Sequence, residues 1–246
     1  MVITIFVVSF IITEKPAFNI MSLNQVISSL KRGDFVLLHD AGKRENEVDM
    51  VVAAEFVTPA HIARMRQNAG GLVCLAINNS FAESLGLRYM YDILSNSREV
   101  DPDSKRMIMG IAPYGDQPSF SISINHVQTY TGITDRDRAL TIKEMANLFK
   151  SLNGNKKQEF ISSFKAPGHV PLLIARNGLL SKRLGHTEMS VYLMELAKLS
   201  PAAAICEMLD SESYTALSVE KAKKYARENV IPFIEGKELF EFSKVH

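Results

Sequence analysis

The segment richest in reactive side chains is residues 39–49, with the sequence HDAGKRENEVD. Glu45, Glu47 and Asp49 are spaced two residues apart, and in an extended strand such residues point to one face. Three carboxylates on one face repel each other unless a cation joins them. Arg44 could supply part of that charge, and a divalent metal would supply more, since Mg²⁺ and Mn²⁺ prefer carboxylate oxygens. The alternative is a solvated acidic hairpin tip, and the spacing alone does not decide between the two.

A second reactive segment, residues 182–188 (KRLGHTE), precedes an apolar helical pattern. Thr187 is a typical helix N-cap, and the start of a helix offers unpaired N–H groups and a positive dipole end. Gly185 allows close approach, and Arg183 can bind an anion through two nitrogens, so the segment predicts a phosphate site. His186 could ligate a metal beside it. The alternative is an ordinary capped helix start with a surface histidine and arginine.

Two further titratable groups stand next to predicted strands. His169 follows Pro167 and Gly168 on a loop, where site residues are common. Glu207 ends the apolar run 202–206, so its carboxylate is expected to be half-buried and available for acid–base chemistry. Taken singly, each residue is equally well explained as a structural polar group.

The elements that must position these groups alternate between helix and strand. The sequence predicts helices at 22–32, from Pro59 (with Thr58 as N-cap) to the glycines at 70–71, and at 137–150, 188–199 and 218–229. It predicts strands at 35–39, 50–57, 72–77, 121–124, 170–175, 203–206 and 230–234. Residues 95–119 predict a mobile loop, since they are rich in Ser, Asp, Pro and Gly. This alternation favours an α/β (α+β) fold, a single-domain α-β-α sandwich on one mixed sheet.

Composition excludes several classes of protein. The 246 residues are 46% hydrophobic and carry a net charge of +1, which argues against disorder and against a nucleic-acid-binding protein. The sequence contains no dinucleotide-binding GxGxxG, P-loop, GxSxG, CxxC or HExxH motif. Cys74 and Cys206 lie in apolar runs and favour reduced thiols in a cytosolic protein.

The apolar run 2–12 is too short to span a membrane. We interpret residues 1–20 as an extension, either an over-long start before Met21 or an extra strand, with a targeting segment as the alternative. Residues 21–246 are then expected to form a single domain, with no membrane or nucleic-acid partner.

Six segments, taken together, resemble 3,4-dihydroxy-2-butanone 4-phosphate synthase, in that family's order and at about its spacing. The resemblance runs from about residue 22 to about residue 240 and is strongest to the stand-alone archaeal form. The segments are RENEVD at 44–49, GGLVC at 70–74, TGITDRDRA at 131–139, GHV at 168–170, RLGHTE at 183–188 and ICE at 205–207.

The resemblance implies a cytoplasmic lyase of riboflavin biosynthesis. Such an enzyme converts D-ribulose 5-phosphate to 3,4-dihydroxy-2-butanone 4-phosphate plus formate, by enolisation, dehydration, skeletal rearrangement and loss of one carbon. It also implies dependence on Mg²⁺, with Mn²⁺ to be tested because a mixed Glu/His pair is not an all-oxygen set. A homodimer with its active sites near the subunit interface is expected.

The resemblance also implies roles for individual residues. The metal ligands would be Glu45 and His186. The catalytic residues would be His169 and Glu207, with Asp40 and Glu47 in support. The substrate-binding residues would be Arg44, Glu45, Asp49, Thr131, Arg183, Gly185, His186, Thr187 and Glu207.

Three positions depart from the family pattern. Val48 stands where the family most often has glycine, Pro171 directly follows GHV, and Ile174 stands where the family usually has arginine. None of them removes a predicted ligand or acid–base group. Two other functions stay open: a protein that binds a sugar phosphate without turnover, and another metal-dependent phosphosugar enzyme, such as an isomerase or a phosphatase. Neither would release formate.

Overall fold

The structure is a computed structural model that describes residues 23–108, 110–152 and 154–245. The predicted extension at 1–20 and the predicted start at Met21 lie outside the described residues. Within the described part, no helix combines the length and the apolar character needed to cross a membrane.

One mixed sheet dominates the fold. The strands of the described residues are β1 (Val36–His39), β2 (Val48–Ala53), β3 (Cys74–Ile77), β4 (Phe120–His126), β5 (Phe164–Ile174), β6 (Ala202–Glu207), β7 (Leu209–Asp210), β8 (Thr215–Ala216) and β9 (Phe233–Glu235). Seven of them lie in the order β4-β5-β3-β6-β2-β1-β9, and β7 pairs with β8 in a separate hairpin. The β3–β5 and β1–β9 pairs are parallel and the other neighbours are antiparallel.

Helices cover both faces of this sheet. Those of the described residues are α1 (Leu23–Arg32), α2 (Pro59–Asn68), α3 (Asn79–Leu85), α4 (Met90–Asn96), α5 (Lys105–Ile108), α6 (Asp135–Lys150), α7 (Lys156–Ser163), α8 (His186–Leu196), α9 (Val219–Glu228) and α10 (Gly236–Ser243). Thr58 caps α2 through its side chain, as predicted, and Pro59 is the first helical residue.

The two helical layers follow from the pleat of the strands, because successive residues point to opposite faces. In β2, Met50 and Val52 belong to the core shared with α2, α3, α6, α7 and α9, whereas Val51 and Ala53 belong to the core shared with α1, α8 and α10. Every residue of β2 is buried, which explains its nearly continuous apolar sequence. The predicted α-β-α sandwich on a mixed sheet is confirmed.

The acidic segment departs from the predicted strand. β2 begins at Val48, so Glu45 and Glu47 lie in the loop before it. The Asp40 carboxylate accepts hydrogen bonds from the backbone N–H groups of Glu45 at 2.9 Å and Glu47 at 3.1 Å. Asn46 between them has a φ of 57°, in the left-handed region. The backbone therefore turns at this point, and the three carboxylates converge by loop geometry instead of strand alternation.

Other boundaries also differ from the predictions. Helix α8 begins at His186 with Gly185 as N-cap, so Thr187 lies within its first turn and is not the cap. Helices α3, α7 and α10 were not predicted, because seven or eight residues carry too few apolar repeats to define a period. The predicted loop 95–119 contains the end of α4 and all of α5.

Candidate active site

A cavity of about 310 Å³ opens where β6 ends and α8 begins. Sheet register brings its wall together, since Asp49 in β2 lies opposite Glu207 in β6, and Cys74 in β3 lies opposite Ile205. The lining residues are Glu45, Glu47, Asp49, Cys74, Tyr114, Pro118, Ser119, Phe120, Leu173, Arg183, His186, Thr187, Ile205 and Glu207. Seven of the predicted site residues therefore share one cavity.

The 40–47 loop is held by Asp40 and Arg44. The Asp40 side chain is fully buried, and besides the two amides it accepts a hydrogen bond from Arg44 Nη1 at 3.1 Å. Arg44 also pairs with Glu45 at 2.9 Å and with Asp116 at 3.0 Å, and its guanidinium lies 5.0 Å from the ring centre of Tyr114. These contacts fix Arg44 behind the cavity and orient Glu45 into it.

Glu45 and His186 form an ion pair across the cavity. His186 Nδ1 lies 3.0 Å from Glu45 Oε2, and Nε2 lies 3.2 Å from the Glu47 carbonyl oxygen. The carbonyl and the carboxylate oxygen both only accept, so both ring nitrogens carry protons in this ion pair, and Nδ1 would be free beside Glu45 only after deprotonation. Burial disfavours the imidazolium, but the negative charges of Asp49, Glu45 and Asp40 outweigh it and raise the pKa of His186 to about 9.

The pKa values of Glu45 and Asp49 shift in opposite directions. Burial opposes ionisation of Glu45, but the hydrogen bond and charge of His186, with Arg44, lower its pKa to about 2. For Asp49, burial together with the negative charges of Glu207, Glu45 and Glu47 raises the pKa to about 8. Burial also raises the pKa of Glu47. The site therefore concentrates more negative charge than its own side chains neutralise.

Glu207 closes the opposite wall of the cavity. Its Oε2 accepts a hydrogen bond from the Leu72 backbone N–H at 2.8 Å. A Cβ atom at Gly71 would lie 2.4 Å from that oxygen and 2.6 Å from the Glu207 carbonyl oxygen. Only glycine at position 71 lets the chain pass close enough to orient this carboxylate.

The arginine end of the cavity is anchored by a buried acid. Glu188, fully buried, accepts a hydrogen bond from Arg183 Nη1 at 2.7 Å and another from the Arg176 backbone N–H at 2.9 Å. A Cβ atom at Gly185 would lie 2.1 Å from Arg183 Nη1, so glycine leaves the space that the guanidinium occupies. Asp116 lies 3.4 Å from Arg183 Nε.

Several buried polar atoms at this site have no hydrogen-bond partner. Among the described residues, these atoms include the donors Arg44 Nη2, Arg183 Nε and Ser119 Oγ, and the acceptor Asp49 Oδ1. Buried polar groups in proteins are nearly always paired, so such a concentration indicates a site built for a ligand. Donors at the arginine end match an anion, and the acceptor beside His186 matches a cation.

The donor set also fits a divalent metal. One ligand atom each from Asp40, Glu45 and His186 lies within 4.8 Å of the others. Carboxylate oxygens with one imidazole nitrogen suit Mg²⁺ or Mn²⁺. Glu45 and His186 line the cavity, whereas Asp40 is already engaged by three N–H groups.

Five predicted residues do not line this cavity: Asp40, Arg44 and Gly185 adjoin residues that do, whereas His169 and Thr131 lie elsewhere. His169 is exposed on β5, where its backbone N–H and its Nδ1 lie 2.8 Å and 3.1 Å from the Asn125 side chain. Thr131 is also exposed, and its backbone N–H lies 3.3 Å from Asp137 Oδ2. Neither lines the cavity formed by the described residues of this one chain.

Some residues of the site were not predicted from the sequence. Tyr114 and Ser119, which line the cavity, and Asp116, which pairs with Arg44, come from the predicted loop 95–119, where no spacing pattern marks them. Glu188 ends the KRLGHTE segment, and the sequence predicts no site role for it. Its place directly after the GHT segment was the one available signal, because a first-turn carboxylate can reach back to a nearby arginine.

Fold and site together define an α/β-sandwich protein with a cavity where a carboxylate–imidazole pair lies beside buried guanidinium groups. The model of the 3,4-dihydroxy-2-butanone 4-phosphate synthase family matches residues 24–242. The chain belongs to this family.

Proteins similar to this chain carry the name of this family. The chain is 43% identical over 222 residues to the 3,4-dihydroxy-2-butanone 4-phosphate synthase of Methanothermobacter thermautotrophicus, covering 90% of this chain and 96% of that protein. The crystal structure of the Candida albicans synthase matches with a TM-score of 0.72 at 30% identity, covering 91% of this chain and 98% of the other. A synthase structure in complex with two magnesium ions matches with a TM-score of 0.71 at 27% identity, covering 89% and 94%.

Proposed function

We propose that this chain is a lyase that converts D-ribulose 5-phosphate to 3,4-dihydroxy-2-butanone 4-phosphate and formate in riboflavin biosynthesis. The observation that carries the proposal is a cavity lined by a metal-type pair, with buried guanidinium N–H groups that have no hydrogen-bond partner beside it. A ketose phosphate needs both features, since its carbonyl must be polarised for enolisation and its phosphate must be bound.

Glu45 and His186 would hold Mg²⁺ or Mn²⁺, through the carboxylate and Nδ1. When bound, the ion would polarise the carbonyl and hydroxyl oxygens of the substrate. Asp40 positions these ligands, because its oxygens already hold the backbone of the loop. The relative in complex with two magnesium ions supports this part of the proposal.

Arg183, Thr187 and Arg44 would bind the phosphate. Arg183 and Thr187 line the cavity at the start of α8, where N–H groups of the first helical turn have no partner within the helix. Gly185 keeps space for the guanidinium. Asp49 and Glu45 would contact the hydroxyl groups at the other end of the substrate.

Glu207 and His169 would be the acid–base pair, with Glu47 in support. Enolisation, dehydration, rearrangement and formate release each move protons at carbon or oxygen. The Glu207 carboxylate is held at the cavity wall by the Leu72 N–H, in a position to take or return such a proton.

A homodimer would bring His169 and Thr131 of one subunit to the cavity of the other. Both residues are exposed in the single chain, and large apolar side chains next to Thr131 in the sequence are exposed as well. Tyr130 is 98% exposed and Ile133 51%. Covering such a surface with a second copy is favourable, since large exposed apolar patches mark interaction sites.

We further propose that residues 21–246 form one catalytic domain in the cytoplasm. The family model spans nearly all of that range. Cys74 and Cys206 are free and buried, in keeping with a reducing compartment.

The deciding experiment measures formate release from ribulose 5-phosphate by the full chain with Mg²⁺, with Mn²⁺ and with EDTA. Metal-dependent formate is expected, and Glu207→Gln should release none while its circular dichroism stays that of the wild type. Substrate binding without formate would favour a binding protein. Another pentose phosphate or inorganic phosphate as product would identify a different phosphosugar enzyme.

A further inference from the structure

The carboxylate of Asp116 lies between the two arginines that the proposed function assigns to the phosphate. Its Oδ2 lies 3.0 Å from Arg44 Nε and 3.4 Å from Arg183 Nε. The two arginine side chains are only 10% and 8% exposed, whereas Asp116 is 32% exposed. Asp116 is thus a partly exposed anion placed on two buried cations.

A short turn carries this carboxylate into the site. Gly115 N–H donates to the Ala112 carbonyl at 2.8 Å, and Ala112 N–H donates to the Asp116 carbonyl at 2.9 Å, so residues 112–116 close on themselves. Tyr114 from the same turn is hydrogen-bonded to Glu45, and this bond contributes, after burial, to raising the Tyr114 pKa to about 12. This turn therefore contacts both Glu45, the proposed metal ligand, and the two arginines.

The turn is weakly anchored outside these contacts. Gly115 has no atom within 4 Å of where a Cβ would lie, and Ile111 just before the turn is 65% exposed. Apart from their own closing bonds, residues 112–116 are held mainly by the polar contacts of Tyr114 and Asp116. A segment held in this way can leave when those contacts are replaced.

A bound phosphate and Asp116 compete for the same donors. Each arginine Nε carries a single hydrogen, and the Arg44 Nε hydrogen is already donated to Asp116. A phosphate that takes this hydrogen must displace the carboxylate, because the one hydrogen on Nε points at the position that Asp116 Oδ2 occupies. Arg183 Nη1 stays on Glu188 in either case, which keeps the subsite formed.

We propose that Asp116 is an internal competitor for the phosphate subsite and so sets the affinity of this chain for phosphorylated substrates. The inference rests on the proposed function for the location of that subsite. With no ligand bound, the carboxylate accepts the Arg44 Nε hydrogen and lies at ion-pair distance from Arg183 Nε, whose own hydrogen has no hydrogen-bond partner. An incoming phosphate dianion replaces it, and residues 112–116 move away from Arg44 and Arg183.

The test is titration of the metal-free full chain with inorganic phosphate by calorimetry. Asp116→Asn should lower the Kd of phosphate about threefold to tenfold, because the neutral amide competes more weakly for the guanidinium hydrogens. Asp116→Ala, which removes the competitor entirely, should lower it at least as much. Asp116→Glu keeps the charge and should stay near the wild type.

Asp103→Asn is the matched control. Asp103 lies in the same predicted loop, 95–119, but its side chain is 87% exposed and pairs with Arg106. It should leave the Kd unchanged. An unchanged or higher Kd in both Asp116→Asn and Asp116→Ala would overturn the inference. If the Asp116 variants bind phosphate more tightly but the wild type releases no formate, only the lyase assignment is rejected. If the wild type releases formate but the Asp116 variants bind phosphate with unchanged affinity, only the role of Asp116 is rejected.

Discussion

At the residue scale, His186 couples the charge of the site to cation binding. Its imidazolium is stabilised by Asp49, Glu45 and Asp40 despite burial, which raises its pKa to about 9 in the metal-free protein. A metal binds the neutral imidazole, so proton and metal compete for Nδ1. The residue proposed to hold the cation would thus also make cation binding depend on pH.

We predict that Mn²⁺ affinity of the metal-free protein rises between pH 7 and pH 9. Below its folded pKa the imidazolium must release a proton first, which costs up to about tenfold in affinity per pH unit. Calorimetry in two buffers of different ionisation enthalpy should detect the released proton. His186→Gln should bind weakly and with a shallower pH slope, the remainder coming from Asp49, whose pKa is also raised, to about 8. A slope equal to that of the wild type would remove His186 from the metal site.

Glu188 determines where Arg183 points. We predict that Glu188→Gln weakens phosphate binding about tenfold, because the neutral amide offers one acceptor oxygen for two donors, Arg183 Nη1 and the Arg176 N–H. Mn²⁺ affinity should stay unchanged, which a general loss of structure would not allow. Glu195→Gln, on the same helix but facing a different cavity, is the matched control. Equal losses in both variants would show that Glu188 has no specific role.

At the element scale, the segment that leads into β3 packs directly against the end of β6, because Gly71 has no side chain to separate it from Glu207. We predict that Gly71→Ala lowers the free energy of unfolding by about 1–3 kcal/mol, since the new methyl group meets the Glu207 backbone, which cannot swing aside. Turnover should fall more than substrate affinity. Denaturant titration measures the first effect, and kcat and KM the second.

Gly42→Ala is the control for that variant, because its Cβ would lie 3.7 Å from the nearest atom outside its immediate chain neighbours. It should stay within about 0.5 kcal/mol of the wild type. Full stability and activity in Gly71→Ala would show that the contact between β3 and β6 relaxes without cost.

At the scale of the whole molecule, we predict that two inactive variants restore each other's activity when mixed. Glu207→Gln changes the cavity, and His169→Asn changes the exposed residue that the partner subunit would contribute. Random pairing of subunits would leave one intact site in each mixed dimer, or about a quarter of wild-type activity. Formate release after joint unfolding and refolding measures this recovery.

The matched control mixes Glu207→Gln with Glu45→Gln. Both residues line the cavity of the same chain, so subunit exchange can restore no complete site. Recovery in this control, or its absence in the first mixture, would contradict a site shared between subunits.

The sequence by itself determined the sandwich and most of the site residues. Apolar runs and helical repeats predicted the main strands and longer helices, because periodicity depends on local backbone geometry that the chain carries with it. The motifs with Glu45, Arg183, His186 and Glu207 also predicted one shared site, and seven predicted residues line one cavity.

Tertiary structure alone decided the contacts that make this site specific. Loop closure brings the backbone of Glu45 to the Asp40 carboxylate. Ion pairs join Asp116 to Arg44 and Arg183, and Glu188 to Arg183. Sheet register alone placed Asp49 opposite Glu207, 158 positions apart in the sequence. Such contacts follow from packing between distant segments, which local periodicity does not encode.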